Sequence, residues 1–200
     1  LSGLLAYFNL ATGFFALLVI VVIKLYLLTI TTENRKSQIP TLLLSSIIVI
    51  TCVLLTVTMP TYSVTMAHSA DKSQFWQAFG TALAWPWILP GKWLGLLTYL
   101  PFFFLVIHII RWRRHPSPAE LLVLALGGWT ILQAASMSYA RTGLSTPAFR
   151  YMDILALGTL ANLLAIYFIT PIWKNWPTGV KFAANTLACF WILLWSLGII

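Results

Sequence analysis

Thr41-Leu-Leu-Leu-Ser-Ser-Ile-Ile-Val-Ile-Thr-Cys-Val-Leu-Leu-Thr-Val-Thr-Met59 runs for nineteen residues without a charged side chain. A run of that length fits the roughly 17–25 helical residues that cross about 30 Å of hydrocarbon, and a water-soluble fold has no place for it. Leu94 to Ile110 is a second run of the same kind. Both are apolar on every face and therefore read as α-helices, because a β-barrel would alternate polar and apolar residues in short segments.

Outward from these two runs, the same reading gives spans at residues 4–30, 41–59, 92–110, 119–139, 151–172 and 181–200. Composition agrees: 60% of the 200 residues are hydrophobic, 8% are charged, and the mean hydropathy is +0.90. The expected fold class is all-α, a polytopic transmembrane helical bundle of about six spans plus one interfacial helix, in one membrane domain covering residues 1–200. The chain starts at Leu1 and stops at Ile200 close to apolar runs, so it is expected to be a piece of a longer protein. Its first segment lacks the basic leader and cleavage site of a signal peptide and reads as a span.

A net charge of +8 raises the question of nucleic acid. Most of the basic residues flank spans, where anionic headgroups and the insertion machinery account for them, so the expected partners are membrane lipids and no nucleic acid. Lys and Arg number seven in or beside residues 31–40, 111–118 and 174–181, against four around residues 61–92 and 140–150. The positive-inside rule then makes the first set cytoplasmic. Trp76, Trp85, Trp87 and Trp93 mark the outer interface, and Trp112, Trp173 and Trp176 the inner one. Cys52 and Cys189 fall inside apolar runs and read as small core residues without a disulfide. The chain shows no nucleotide-binding loop, nucleophile elbow or zinc-ligand set, and neither a metal nor a cofactor is expected.

Within the long outer segment, Asp71-Lys-Ser-Gln74 has the spacing of an N-cap and its capping-box partner. Phe75, Trp76, Phe79 and Leu83 follow at helical intervals, which predicts a helix over 72–84 near the outer interface. It would serve either as an anchor or as a lid or re-entrant segment, and Trp85-Pro86 ends it. His68, just before this helix, is the one histidine expected on the outer side and the candidate catalytic base.

The second outer segment, residues 138–153, holds the candidate substrate-binding residues Arg141, Arg150, Tyr139, Tyr151 and Asp153. Thr146-Pro147 reads as a cap with proline at the first helical position, which sets Arg150 in the first turns of the next helix. A cation is disfavoured there. Either Asp153, three residues on, braces it, or a phosphate is held jointly by Arg141, Arg150 and the free backbone N–H groups. Gly143 permits a tight turn, and Tyr139 and Tyr151 would close such a site laterally. Gln133, Ser136, Ser138 and Asn162 add polarity to the neighbouring spans, most simply as interhelical hydrogen bonds.

The stretches Leu83-Ala-Trp-Pro86, Tyr139-Ala-Arg-Thr-Gly143 and Phe149-Arg-Tyr151, across residues 70–170, resemble a loosely defined group of bacterial multi-spanning membrane proteins. The layout is similar to that of integral-membrane glycosyltransferases and O-antigen ligases that use polyprenyl-linked sugars. That resemblance implies a protein of the bacterial inner membrane, acting on a polyprenyl-phosphate-linked glycan at the extracytoplasmic face, with Arg141 and Arg150 as phosphate ligands. Metal-dependent members carry an acidic base in an early outer loop, where this chain has only Asp71; a metal-free ligase pattern would use His68 instead. A transporter or flippase, and a non-catalytic membrane scaffold, are the alternatives.

Overall fold

The computed structural model describes residues 2–30, 35–58, 72–87, 92–112, 115–140, 151–174 and 176–198. All regular structure among them is helical: α1 (Ser2–Ile30), α2 (Arg35–Thr58), α3 (Lys72–Leu83), α4 (Lys92–Thr98), α5 (Leu100–Arg111), α6 (Pro118–Ala140), α7 (Met152–Trp173) and α8 (Thr178–Gly198). Three stretches are long and apolar enough to cross a membrane: Gly13–Ile30, Pro118–Tyr139 and Met152–Trp173. Shorter apolar stretches lie in α2, α5 and α8. The chain therefore has the make-up of a membrane protein.

Two boundaries depart from the sequence reading. Helix α2 starts at Arg35, inside what reads as a connection, and carries Pro40 in its second turn. Arg, Lys and Gln are good helix formers, so they extend the apolar helix toward the polar side until the chain turns. The run expected as one span over 92–110 is two helices, α4 and α5, separated at Tyr99 and followed by Pro101. Proline at 101 has no N–H to give Leu97 and its ring crowds the preceding turn, which breaks the ladder there.

Helices α6 and α7 make the most extensive contact in the bundle. Helix α1 packs on α2 and α6, α5 on α7, α3 on α4 and α6, and α8 on α7. Close approach depends on three glycines. A Cβ on Gly127 of α6 would strike the Phe102 ring, one on Gly158 of α7 would strike the Tyr99 hydroxyl and the Thr130 methyl, and one on Gly95 of α4 would strike the Gly80 carbonyl and Leu83. Tyr99, Leu105, Ile109, Val123, Ala161 and Ile169 are almost wholly buried at the centre. The outward faces invert the pattern of a soluble protein: Leu43, Leu44, Ile47 and Leu54 of α2, and Phe182, Leu187 and Leu193 of α8, are all exposed. Cys189 is a free thiol on that outward side of α8, not the core residue its sequence context implied, because Trp191 and Trp195 take the inward face.

One bond orients the bundle. The Tyr26 hydroxyl near the end of α1 donates to the Ile109 carbonyl near the end of α5 at 2.8 Å, so these two helices finish at the same end of the molecule. At that end α6 begins with Ser117 and Glu120 capping each other: the Ser117 N–H donates to Glu120 Oε2 at 2.8 Å, and the Glu120 N–H donates to Ser117 Oγ at 3.3 Å. This is a capping box with Pro118 at the first helical position.

Candidate functional site

The site begins at the α4–α5 break. With Pro101 lacking an N–H, the Leu97 carbonyl loses its helical partner, and the Trp191 indole Nε1 of α8 donates to it at 3.1 Å. On the other side of the break the Phe102 N–H donates to Asn162 Oδ1 at 3.2 Å, while Asn162 Nδ2 donates to the Gly158 carbonyl at 2.9 Å. Backbone groups freed in an apolar interior are costly unless re-satisfied, and here two helices supply the side chains that do it. Asn162, wholly buried, thus makes the interhelical bond that its polarity suggested. Ser138 does not, since its hydroxyl turns back on its own helix to the Ala134 carbonyl at 2.7 Å.

Helix α3 meets this break from the side. The expected helix over 72–84 is present as Lys72–Leu83, but its two halves differ. Ser73, Gln74, Trp76 and Gln77 are exposed, whereas Gly80, Thr81, Ala82 and Leu83, which point to all sides of the helix, are buried together with Ala84. A helix lying in a headgroup plane would keep one face outward along its whole length. Small residues explain the difference, because Gly80 and Ala82 let the neighbouring backbones come close, and Gly80 sits directly against Gly95. The Thr98 hydroxyl lies 2.9 Å from the Leu83 carbonyl and 2.8 Å from the Gly95 carbonyl, tying the end of α3 to α4. The chain then turns through Ala84–Trp87 with a cis Trp85–Pro86 bond. At the exposed end Phe75 and Phe79 are stacked 5.9 Å apart, and Trp76 meets both edge-on at 5.2 and 5.9 Å.

The levels along the bundle follow from these contacts. Phe102 is level with Asn162, the middle of α7, and with Gly127 of α6. Thr98 is four residues, about 6 Å, further along. Because Thr98 touches Leu83, α3 ends within about two helical turns of the middle of the bundle.

Of the residues read as a site, His68, Arg141 and Arg150 lie outside the described residues, as do Asp71 and Thr146-Pro147. Tyr139 is 59% exposed near the end of α6, and Tyr151 is 7% exposed at the start of α7. Tyr151 belongs to the core cluster with Met137, Ala134 and Leu155 and serves packing more than a lateral wall. Helix α7 has Tyr151 as its N-cap and starts at Met152, while the start expected near Pro147 falls outside the described residues. Asp153 is exposed in its first turn, where the helix dipole favours a carboxylate. The sequence reading missed Trp191, for which no local signal exists, and the Ser117–Glu120 box, for which the S-x-x-E spacing was in plain view.

No protein-family model, curated protein or solved structure matches the chain.

Proposed function

We propose that the chain is an integral protein of the bacterial inner membrane in which α1, α2, α4–α5 together, α6, α7 and α8 make six spans. In this reading it holds the phosphate of a polyprenyl-linked glycan at an extracytoplasmic mouth and acts as a glycosyltransferase or polymerase-like protein. One observation carries the reading. Helix α3 runs from an exposed aromatic end to a buried end against α6 and α7, the two helices that the segment with Arg141 and Arg150 joins. An amphipathic ligand reaching that mouth would find an aromatic ramp on α3, and the guanidinium donors of the segment between α6 and α7 suit phosphate oxygens. The Tyr26–Ile109 bond supports the sidedness, since the connections after α1 and after α5 leave from one end, as the basic residues require. His68 is the candidate base for a metal-free transfer.

The test is glycan assembly in cells carrying full-length variants. Arg141→Ala with Arg150→Ala is expected to abolish assembly, and Arg150→Lys to impair it although charge is kept, because an ammonium does not reproduce the planar fork. Normal assembly in the double variant would end this reading.

A second reading, transport, has its own observation: a helix broken close to the middle of the bundle, capped by Asn162 and Trp191, is the kind of element from which transporter sites are made. Substrate flux into proteoliposomes that depends on Asn162 and not on the arginines would favour it.

A further inference from the structure

Gln133 is 94% buried by its 6% exposure, and its Nε2 has no hydrogen-bond partner among the described residues. A buried amide donor left unmade is destabilising, and such groups call for a specific reason. Three other buried polar atoms share the condition, on Gln38, Trp173 and Trp195. Those residues sit in the end turns of α2, α7 and α8, whereas Gln133 sits in the body of α6.

Its level is what singles it out. Gly127 of α6 is level with Phe102, and Thr98, about 6 Å further along, is bonded to the Leu83 carbonyl at the end of α3. Six residues beyond Gly127 on α6 rise about 9 Å, so Gln133 stands within one turn of the level at which α3 stops. Helix α3 packs on α6. The unmade donor is thus level with the inner end of α3, the helix whose other end carries exposed Trp76 against half-buried Phe75 and Phe79.

We infer that Gln133 is a ligand-binding residue: its side-chain N–H donates to an acceptor oxygen on the polar head of a phosphate-bearing lipid that enters along α3. The inference deepens the lipid-phosphate reading and rests on it. Bound ligand supplies the missing acceptor, and the free protein carries the unmade bond.

Two roles for Gln133 make opposite predictions for Gln133→Met, which keeps length and volume but removes the amide. The probe is farnesyl phosphate, titrated against the full protein in lipid nanodiscs, with the thermal midpoint of the ligand-free protein read in parallel. The expected result is a midpoint unchanged or raised, since an unpartnered polar group has been replaced by an apolar one, together with affinity weakened roughly tenfold or more. Gln133→Leu should repeat that split, which guards against a packing artefact of methionine. Unchanged affinity with a raised midpoint would overturn the inference, leaving Gln133 a mere packing defect. Loss of affinity accompanied by a lowered midpoint in both variants would also overturn it, because the residue would then be structural. The underlying reading fails separately: wild-type protein that does not bind farnesyl phosphate sinks both, while binding that is lost in the Arg141→Ala, Arg150→Ala variant but kept in Gln133→Met sinks the inference alone.

Discussion

Asn162 and Trp191 each complete a hydrogen bond that Pro101 and its kink take away from the α4–α5 backbone. Replacing Asn162 by Leu keeps the volume and strands the Phe102 N–H in the core, so thermal unfolding in detergent should show a loss of about 1–3 kcal/mol. Trp191→Phe, which keeps a ring but not the indole N–H, should cost a similar amount. Gly158 is a steric case: a methyl group there meets the Tyr99 hydroxyl and Thr130, and overpacking of this sort costs about 1–3 kcal/mol. If the hydroxyl is the obstacle, Tyr99→Phe should restore part of the stability lost in Gly158→Ala, and a double-mutant cycle that is strictly additive would contradict this. At this scale legibility was uneven. Asn162 stood out as an amide in a mostly apolar run, and the Ser117–Glu120 box was written in its spacing. Trp191 was not legible, since its partner lies 94 residues away and is a backbone carbonyl that becomes available only through Pro101.

The two-faced character of α3 gives the clearest test at the level of the element. Its start carries exposed Ser73 and Gln77 and its end buries Ala82 and Ala84. Single cysteines at 73 and 77 should react with a water-soluble maleimide, and cysteines at 82 and 84 should be protected; equal labelling at all four would mean that the helix lies on the surface. The sequence located this helix almost to the residue, because spacing of Phe75, Trp76, Phe79 and Leu83 is periodic whether a helix rests on a membrane or dips into a bundle. What the periodicity does not encode is the partner. Burial of the second half comes from Gly80 meeting Gly95 across fifteen residues of chain, and neither glycine advertises the other. The α4–α5 division is the converse, because Pro101 was visible within the apolar run, yet apolarity alone favoured one continuous span.

The whole molecule is a helical bundle with apolar residues both inside and outside, which composition and run length made plain from the start. The sidedness proposed from charge is tested by labelling: Ser37→Cys and Ser117→Cys should react only after the membrane is opened, and labelling from outside intact cells would invert the topology. The proposed phosphate ligands were legible only as residue types, Arg141 and Arg150 standing nine positions apart between α6 and α7. The packing of α3 on α6 and α7 joins segments distant in sequence, which no local pattern specifies. The central claim is that a lipid phosphate reaches that mouth along α3. A polyprenyl phosphate bearing a photoreactive diazirine, activated in vesicles containing the protein, tests it most directly: the account predicts labelled peptides from residues 72–87 and 139–153, displaced by excess unlabelled polyprenyl phosphate, whereas labelling confined to the outward faces of α2 and α8, where any lipid would touch, would contradict it.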